Sequence, residues 1–504
     1  MSPLQLSVYW RLSLLYSFTP FLFFMDIFTA AITADTCRHD NATHAPASWG
    51  GSNQSEQGEI LEMESDWWSQ DSVCSWTDWL SYGQTVYMIG MLLGSLVGGA
   101  LADRYGKRRM LLVAGFIQAF CGVVPAIFPQ PHLFLATRCL TAISFYFINI
   151  CAFSLAVEWT LPAARLWPPA FLSFCFSLGT MGGAPLAWLS PTWTQLHLTL
   201  ALPQLMCLPL YFSIPESPRW LLLQKNVDVL QRYHGNSPAD KQHLTLLLDS
   251  VQSDLEKAAD AQTQISGSRC PAHTGKAHLG SILLKLVIMS FLSAAVALTY
   301  YGICLNIGSF GVSVYAAQFF SGLSEVPGLL VPLARLGRRL LTMLALFLSG
   351  SACCLSLLLS RYNGEPVLVM SLALLGKLCI LAASFILLLY SIELFPTVVR
   401  QRCISLVNLS YRLGCLATTF VPSGPNGAIS LVAMVVYSSG PIVGCSLCLL
   451  LPETSGVPLP DSLEDCDMSH PASMDALLRP KRLQSSQMKT ETLSSEKAGT
   501  QTSN

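Results

Sequence analysis

Apolar stretches recur along this chain, each about long enough to cross a bilayer, with polar connections between them. A hydrocarbon core about 30 Å thick takes roughly 20 apolar residues per helical crossing. Twelve such stretches begin near residues 12, 81, 110, 132, 168, 194, 281, 304, 340, 366, 404 and 429, which predicts an all-α membrane protein with twelve transmembrane helices. The first, from Leu12 to about Ala34, has spanning length and no small-residue cleavage site before Asp35, so it reads as a helix and not as a removable leader. The eighth is interrupted by Gly308, Gly311, Gly322, Pro327, Gly328 and Pro332. Membrane helices accept such breaks where neighbours satisfy the freed backbone.

Lys and Arg in short connections are retained on the cytoplasmic side. Arg104, Lys107, Arg108 and Arg109 follow the second span, Arg165 the fourth, Arg335, Arg338 and Arg339 the eighth, and Arg400 and Arg402 the tenth. The opposite connections hold little beyond Arg38 and Arg361, so both termini are expected in the cytoplasm. On the same count residues 35–80 form a large extracellular loop. It carries two glycosylation acceptors, at Asn41 and Asn53, and Cys37 and Cys74, which an oxidising compartment could pair. Residues 214–280 form a cytoplasmic central loop with a helix expected around Lys241 to Lys257, and residues 453–504 a Ser-, Thr- and Lys-rich tail of disordered composition. The spans divide six and six between an N-terminal bundle, 1–213, and a C-terminal bundle, 281–452.

Composition removes the soluble alternatives. Hydrophobic residues make up 52% of the chain and charged residues 12%, against roughly a quarter charged in a soluble domain. Membrane lipid is therefore the expected surrounding. The net charge of −1 adds little, because the bases sort to one side of the spans. Most of the 17 Cys, among them Cys121, Cys139, Cys353, Cys354 and Cys445, sit inside apolar runs without metal-ligand spacing and read as small buried hydrophobes. There is no Walker motif, no Gly-x-Ser-x-Gly elbow and no helix with a metal-spaced His pair. No enzymatic activity, cofactor, metal or nucleic-acid partner is expected.

Three short motifs occur twice. Gly106-Lys107-Arg108-Arg109 after the second span is echoed by Gly337-Arg338-Arg339 after the eighth. Glu158 with Arg165 seven residues on is echoed by Glu393 with Arg400, and Pro215-Glu216-Ser217 by Pro452-Glu453-Thr454. Such repetition predicts duplicated helix bundles with a solute site between them. Together with Asp103-Arg104-Tyr105-Gly106-Lys107-Arg108, Pro215 to Leu221, Glu393-Leu394-Phe395-Pro396-Thr397 and the large first loop, the motifs resemble the organic-ion transporters of solute carrier family twenty-two. The resemblance covers nearly the whole chain up to about residue 455. It implies the major facilitator fold, two pseudo-symmetric six-helix bundles, in the plasma membrane. It also implies that Asp103, Arg104, Gly106, Arg108, Glu158, Arg165, Glu393 and Arg400 form a cytoplasmic latch that opens when the bundles rock. In the second copy Ala334 stands where the latch has its acid.

Ionisable side chains inside spans are costly and normally face a cavity or a partner. Arg412 lies mid-way along the eleventh span, Lys377 in the tenth and Arg138 in the fourth. By resemblance Arg412 is a charge selector that marks anion carriers, Lys377 is a basic cavity residue, and Tyr300, Tyr301 and Trp188 are aromatic cavity positions. The Lys that such carriers place two residues beyond the Pro of the eighth helix is Leu329 here. The expected function is transport of a small organic anion by alternating access, as uniport or exchange. Two readings stay open at this stage: a transporter-shaped receptor that moves little solute, and a carrier of organic cations or zwitterions.

Overall fold

The structure, a computed structural model, describes residues 3–43, 77–161, 167–224, 240–253, 275–310, 312–328, 337–362, 364–421 and 431–454. Helices account for nearly all of them, and they trace twelve crossings. The first is three helices in series, Pro3–Ser17, Thr19–Phe23 and Met25–Thr43. The next five are Gly83–Tyr105, Lys107–Ile127, Pro131–Glu158, Trp167–Trp188 and Trp193–Met206, the last continuing as Leu208–Phe212. A short helix, Pro218–Leu223, and a helix over 240–253 lie in the central segment. Gly275–Leu305, Val314–Gly328, Arg338–Arg361, Pro366–Leu394, Thr397–Ala417 and Leu431–Cys448 complete the second half.

Eight crossings are long and apolar enough to span a bilayer by length and composition alone. Two of the other four fall short for visible reasons. The sixth breaks at Cys207, whose N–H reaches back to the Pro203 carbonyl at 3.1 Å, and the eleventh carries Arg400, Arg402, Asn408 and Arg412. Large apolar side chains remain exposed on the outer faces, such as Leu96 at 59% and Phe347 at 55%. In water these would be a liability; in lipid they are the solvent-facing surface.

Two boundaries depart from the hydrophobic pattern. The first crossing begins at Pro3, not near residue 12, because its polar start is satisfied inside the bundle: Gln5 donates to the Tyr9 hydroxyl, which pairs with Thr160. The eighth begins at Val314, not near residue 304, because the apolar run through Leu305 belongs to the seventh helix. A one-turn helix, Ile307–Phe310, then reverses the chain.

Small residues let the helices approach. Gly90, Gly94 and Gly98 form a stripe against the fourth crossing, where a Cβ at Gly90 would lie 2.6 Å from the Cys139 carbonyl oxygen. The two halves meet chiefly where the fifth crossing packs on the eighth and the second on the eleventh. At the end away from the basic connections, Phe28 and Tyr315 stack across the halves with ring centroids 5.7 Å apart and planes 4° from parallel.

Candidate functional site

Between the bundles lies a cavity of about 310 Å³, lined from the first, fourth, fifth, seventh, eighth, tenth and eleventh crossings. Its wall is largely aromatic: Tyr16, Phe23, Phe24, Phe145, Phe153, Phe176, Tyr300, Tyr301, Phe385 and Tyr411. Phe153, Ser173, Ser391 and Ile404 carry it toward the ends of the helices that bear the basic connections. The Phe28–Tyr315 stack closes the opposite end.

Arg412 lines this cavity and is half-buried. Its guanidinium carbon sits 4.9 Å from the centroid of the Tyr146 ring and 5.4 Å from that of Tyr411. Ring faces stabilise a guanidinium without neutralising it, and among the described residues no carboxylate pairs with Arg412. The fork therefore keeps its charge for whatever enters, and a planar carboxylate or a sulfate suits it geometrically. Tyr300 and Tyr301 also line the cavity, edge to face with centroids 5.2 Å apart.

Lys377 is placed differently from the expectation. It is fully buried behind the cavity wall, and its Nζ lies 2.7 Å from the Glu325 carboxylate. It also donates to the Ser321 hydroxyl. Glu325 accepts in addition from the Tyr300 hydroxyl at 2.7 Å and, across the bundle interface, from Ser177 at 2.9 Å. Lys377 is thus a neutralised partner and not an open cavity base, because a buried ammonium must be paired. Trp188 does not line the cavity either. It ends the fifth helix and is 68% exposed, the place at a helix end where an amphipathic ring meets the membrane–water boundary.

Arg138 also has a partner, Asp26, at 2.5 Å, with a second bond to the Leu22 carbonyl at 2.8 Å. Its guanidinium lies 4.4 Å from the Tyr87 ring centroid. Asp26 and Glu325 are the two residues that sequence reasoning passed over. The one signal the sequence offered was that a Lys and an Arg inside spans each need a counter-charge; it did not say which acid supplies it.

At the basic end each half ties a knot of the same design. In the first, Glu158 pairs with Lys107 and accepts from the Ser217 hydroxyl, while Glu216 accepts from the Arg108 N–H at 3.0 Å. In the second, Glu393 pairs with Arg338 at 3.3 Å and accepts from Thr454 at 2.6 Å, while Glu453 accepts from the N–H groups of Arg338 at 2.7 Å and Arg339 at 3.1 Å. Glu216 and Glu453 therefore sit at the starts of the third and ninth helices, where unpaired N–H groups and the helix dipole favour an anion. Gly106 makes the turn before the third helix at φ +91°.

The latch members are distributed otherwise than expected. Asp103 and Arg104 are exposed, and Arg104 lies over the ring of its neighbour Tyr105. The base on Glu158 is Lys107, because the chain reverses at Gly106 and aims the next side chain at the fourth helix. Arg108 donates to the Phe212 carbonyl and Arg400 to that of Phe395. Among the described residues the ion pairs at this end all lie within one half. Cys37 is disulfide-bonded, and its partner lies outside the described residues. Asn41 falls in the helix Met25–Thr43; Asn53, Cys74, Arg165, Leu329 and Ala334 lie outside the described residues.

Two helical bundles around a central, largely aromatic cavity define a membrane carrier, and residues 16–419 match the Major Facilitator Superfamily. The chain is 32% identical over 395 residues to solute carrier family 22 member 13 of Homo sapiens, covering 77% of this chain and 69% of that one. It is 30% identical over 406 residues to organic anion transporter 3 of Oryctolagus cuniculus (79% and 73% covered) and 28% identical over 453 residues to solute carrier family 22 member 6 of Pseudopleuronectes americanus (85% and 78%). The chain belongs to solute carrier family 22, within the Major Facilitator Superfamily, and is a transporter and not an enzyme. Its fold is shared with the D-xylose–proton symporter, at a TM-score of 0.61 and 15% identity over 90% of this chain and 100% of that one. A partially occluded inward-open structure of the xylose transporter XylE from E. coli matches at 0.61 and 16% identity over the same shares.

Proposed function

We propose that the chain carries organic anions across the plasma membrane by alternating access, as a uniporter or exchanger, with both termini in the cytoplasm. The observation that carries this reading is Arg412: a guanidinium without a carboxylate partner among the described residues, facing a cavity to which ten aromatic rings contribute. A ligand with an apolar ring and an acidic group meets the ring faces with one end and the fork with the other. The names of the relatives, organic anion transporter 3 among them, point the same way. No site for ATP coupling is proposed, so the driving force is a gradient of the cargo or of an exchanged ion.

The test is uptake of a labelled aromatic monocarboxylate by cells displaying the chain, against an Arg412→Asp variant at matched surface abundance. Wild type is expected to take up the label faster than cells without the chain and the variant to lose at least about tenfold of the rate, since a fork-to-carboxylate contact becomes a repulsion. Equal uptake by the two proteins would remove Arg412 from the site, and no uptake of any organic anion by the displayed wild type would sink the carrier reading.

A further inference from the structure

Two charged groups face the cavity among the described residues, Arg412 and Glu325, with Lys377 behind Glu325. On the organic-anion reading above, we infer that the Glu325–Lys377 pair sets the valence of the cargo: the cavity takes aromatic anions with one ionised group and rejects those with two.

The argument is one of counting charge and donors. Lys377 would be the second base, but its ammonium is spent. It is 0% exposed, lies 2.7 Å from a Glu325 oxygen and gives another bond to Ser321. Glu325 is equally committed. One oxygen accepts from Lys377 and from Tyr300 at 2.7 Å, the other from Ser177 at 2.9 Å. A ligand carboxylate cannot recruit Lys377 without stripping Glu325 of its counter-charge and stranding an acid that is 3% exposed. Removing one partner of a buried pair is far more costly than the pair itself.

That leaves one positive charge for the ligand, on Arg412. A second ionised group in a space of about 310 Å³ would meet ring faces and neutral polar side chains, the amides of Asn149 and Asn408 and the hydroxyls of five Ser, or else Glu325 itself. Neutral donors of that kind offset only part of the desolvation of a full charge. One carboxylate or sulfate on an aromatic body matches what the wall offers, and a cavity of this volume sits at the small end of ligand sites.

Benzoate and isophthalate share a ring and differ by one carboxylate, so they isolate the effect. With the full-length wild type purified in detergent, benzoate is expected to bind at least about tenfold more tightly than isophthalate, the equivalent of about 1.4 kcal/mol. In cells, Glu325→Gln releases Lys377 from its counter-charge, and the benzoate-to-isophthalate uptake ratio is expected to fall by about tenfold. The double variant Glu325→Gln/Lys377→Gln restores the preference. Equal binding of the two probes by wild type, or a ratio unmoved in a surface-displayed Glu325→Gln protein, overturns the valence inference and leaves the anion reading standing. Binding of neither probe, nor of a larger aromatic monocarboxylate, overturns both.

Discussion

Among the described residues, Asp26 and Arg138 form the most deeply buried ion pair outside the cavity, with side chains 8% and 1% exposed. The pair lies where the first crossing is broken, and Arg138 also satisfies the Leu22 carbonyl just before the break. Arg138 thus replaces a helix hydrogen bond as well as pairing a charge. Removing only Asp26 strands a guanidinium, and Asp26→Asn is expected to cost about 3 kcal/mol or more. Removing both charges, as Asp26→Asn/Arg138→Gln, costs less than that single change although two residues are altered. Melting of the detergent-purified proteins measures this, and a double variant no more stable than Asp26→Asn would show that the pair is not the source of the loss. The sequence made Arg138 and Lys377 visible and left their partners unseen for a physical reason. Asp26 stands beside a helix break and Glu325 two residues before Pro327, places where an acid reads as a helix-end charge. Only the packing reveals that both side chains turn inward. Arg412 was legible because it sits at mid-span, too far from either surface to reach water.

At the scale of helices, the duplicated motifs were legible as a set before their contacts were. Glu158, Glu393 and the Pro-Glu-Ser and Pro-Glu-Thr segments all join the two knots, but the base on Glu158 is Lys107, which sequence alone left out of the latch. The reason is the turn at Gly106, whose positive φ decides which of the three consecutive basic residues Lys107, Arg108 and Arg109 faces the fourth helix. No hydrophobic pattern encodes that choice. The two knots also differ in strength: Glu216 is 6% exposed, whereas Glu453 is exposed. A carboxylate at a helix N-terminus is worth more where water competes less. Glu216→Ala is expected to destabilise by about 2 kcal/mol and Glu453→Ala by under about 1 kcal/mol. Thermal unfolding of the two variants side by side checks the order, and equal losses would mean that burial does not separate the copies. The same local limit explains the misplaced eighth crossing. Its apolar composition continues from the seventh helix, and the boundary is set at Asn306, whose side chain bonds the Gly302 carbonyl at 2.9 Å and whose backbone begins the turn.

Across the whole molecule the asymmetry of closure carries the function. Aromatic packing between the halves closes the end away from the basic connections, while the ion pairs described at the basic end stay within each half. With the basic end in the cytoplasm, as proposed above, this is an inward-facing state. An alternating-access carrier must then part Phe28 from Tyr315, and break the Ser177–Glu325 bond, to take cargo from outside. The twelve-crossing architecture was readable because a bilayer demands long apolar runs; the state was not, because opening at one end or the other leaves hydropathy unchanged. A chain carrying Phe28→Cys and Tyr315→Cys, linked by a short reducible bis-thiosulfonate reagent, is expected to lose at least about nine-tenths of its anion uptake and to regain it on reduction. The unsubstituted chain under the same reagent controls for native thiols, since Cys121 and Cys139 are only half-buried. Uptake that continues with the link verified by mass spectrometry would mean that this end never opens, and that cargo does not pass between the halves by rocking about the central cavity.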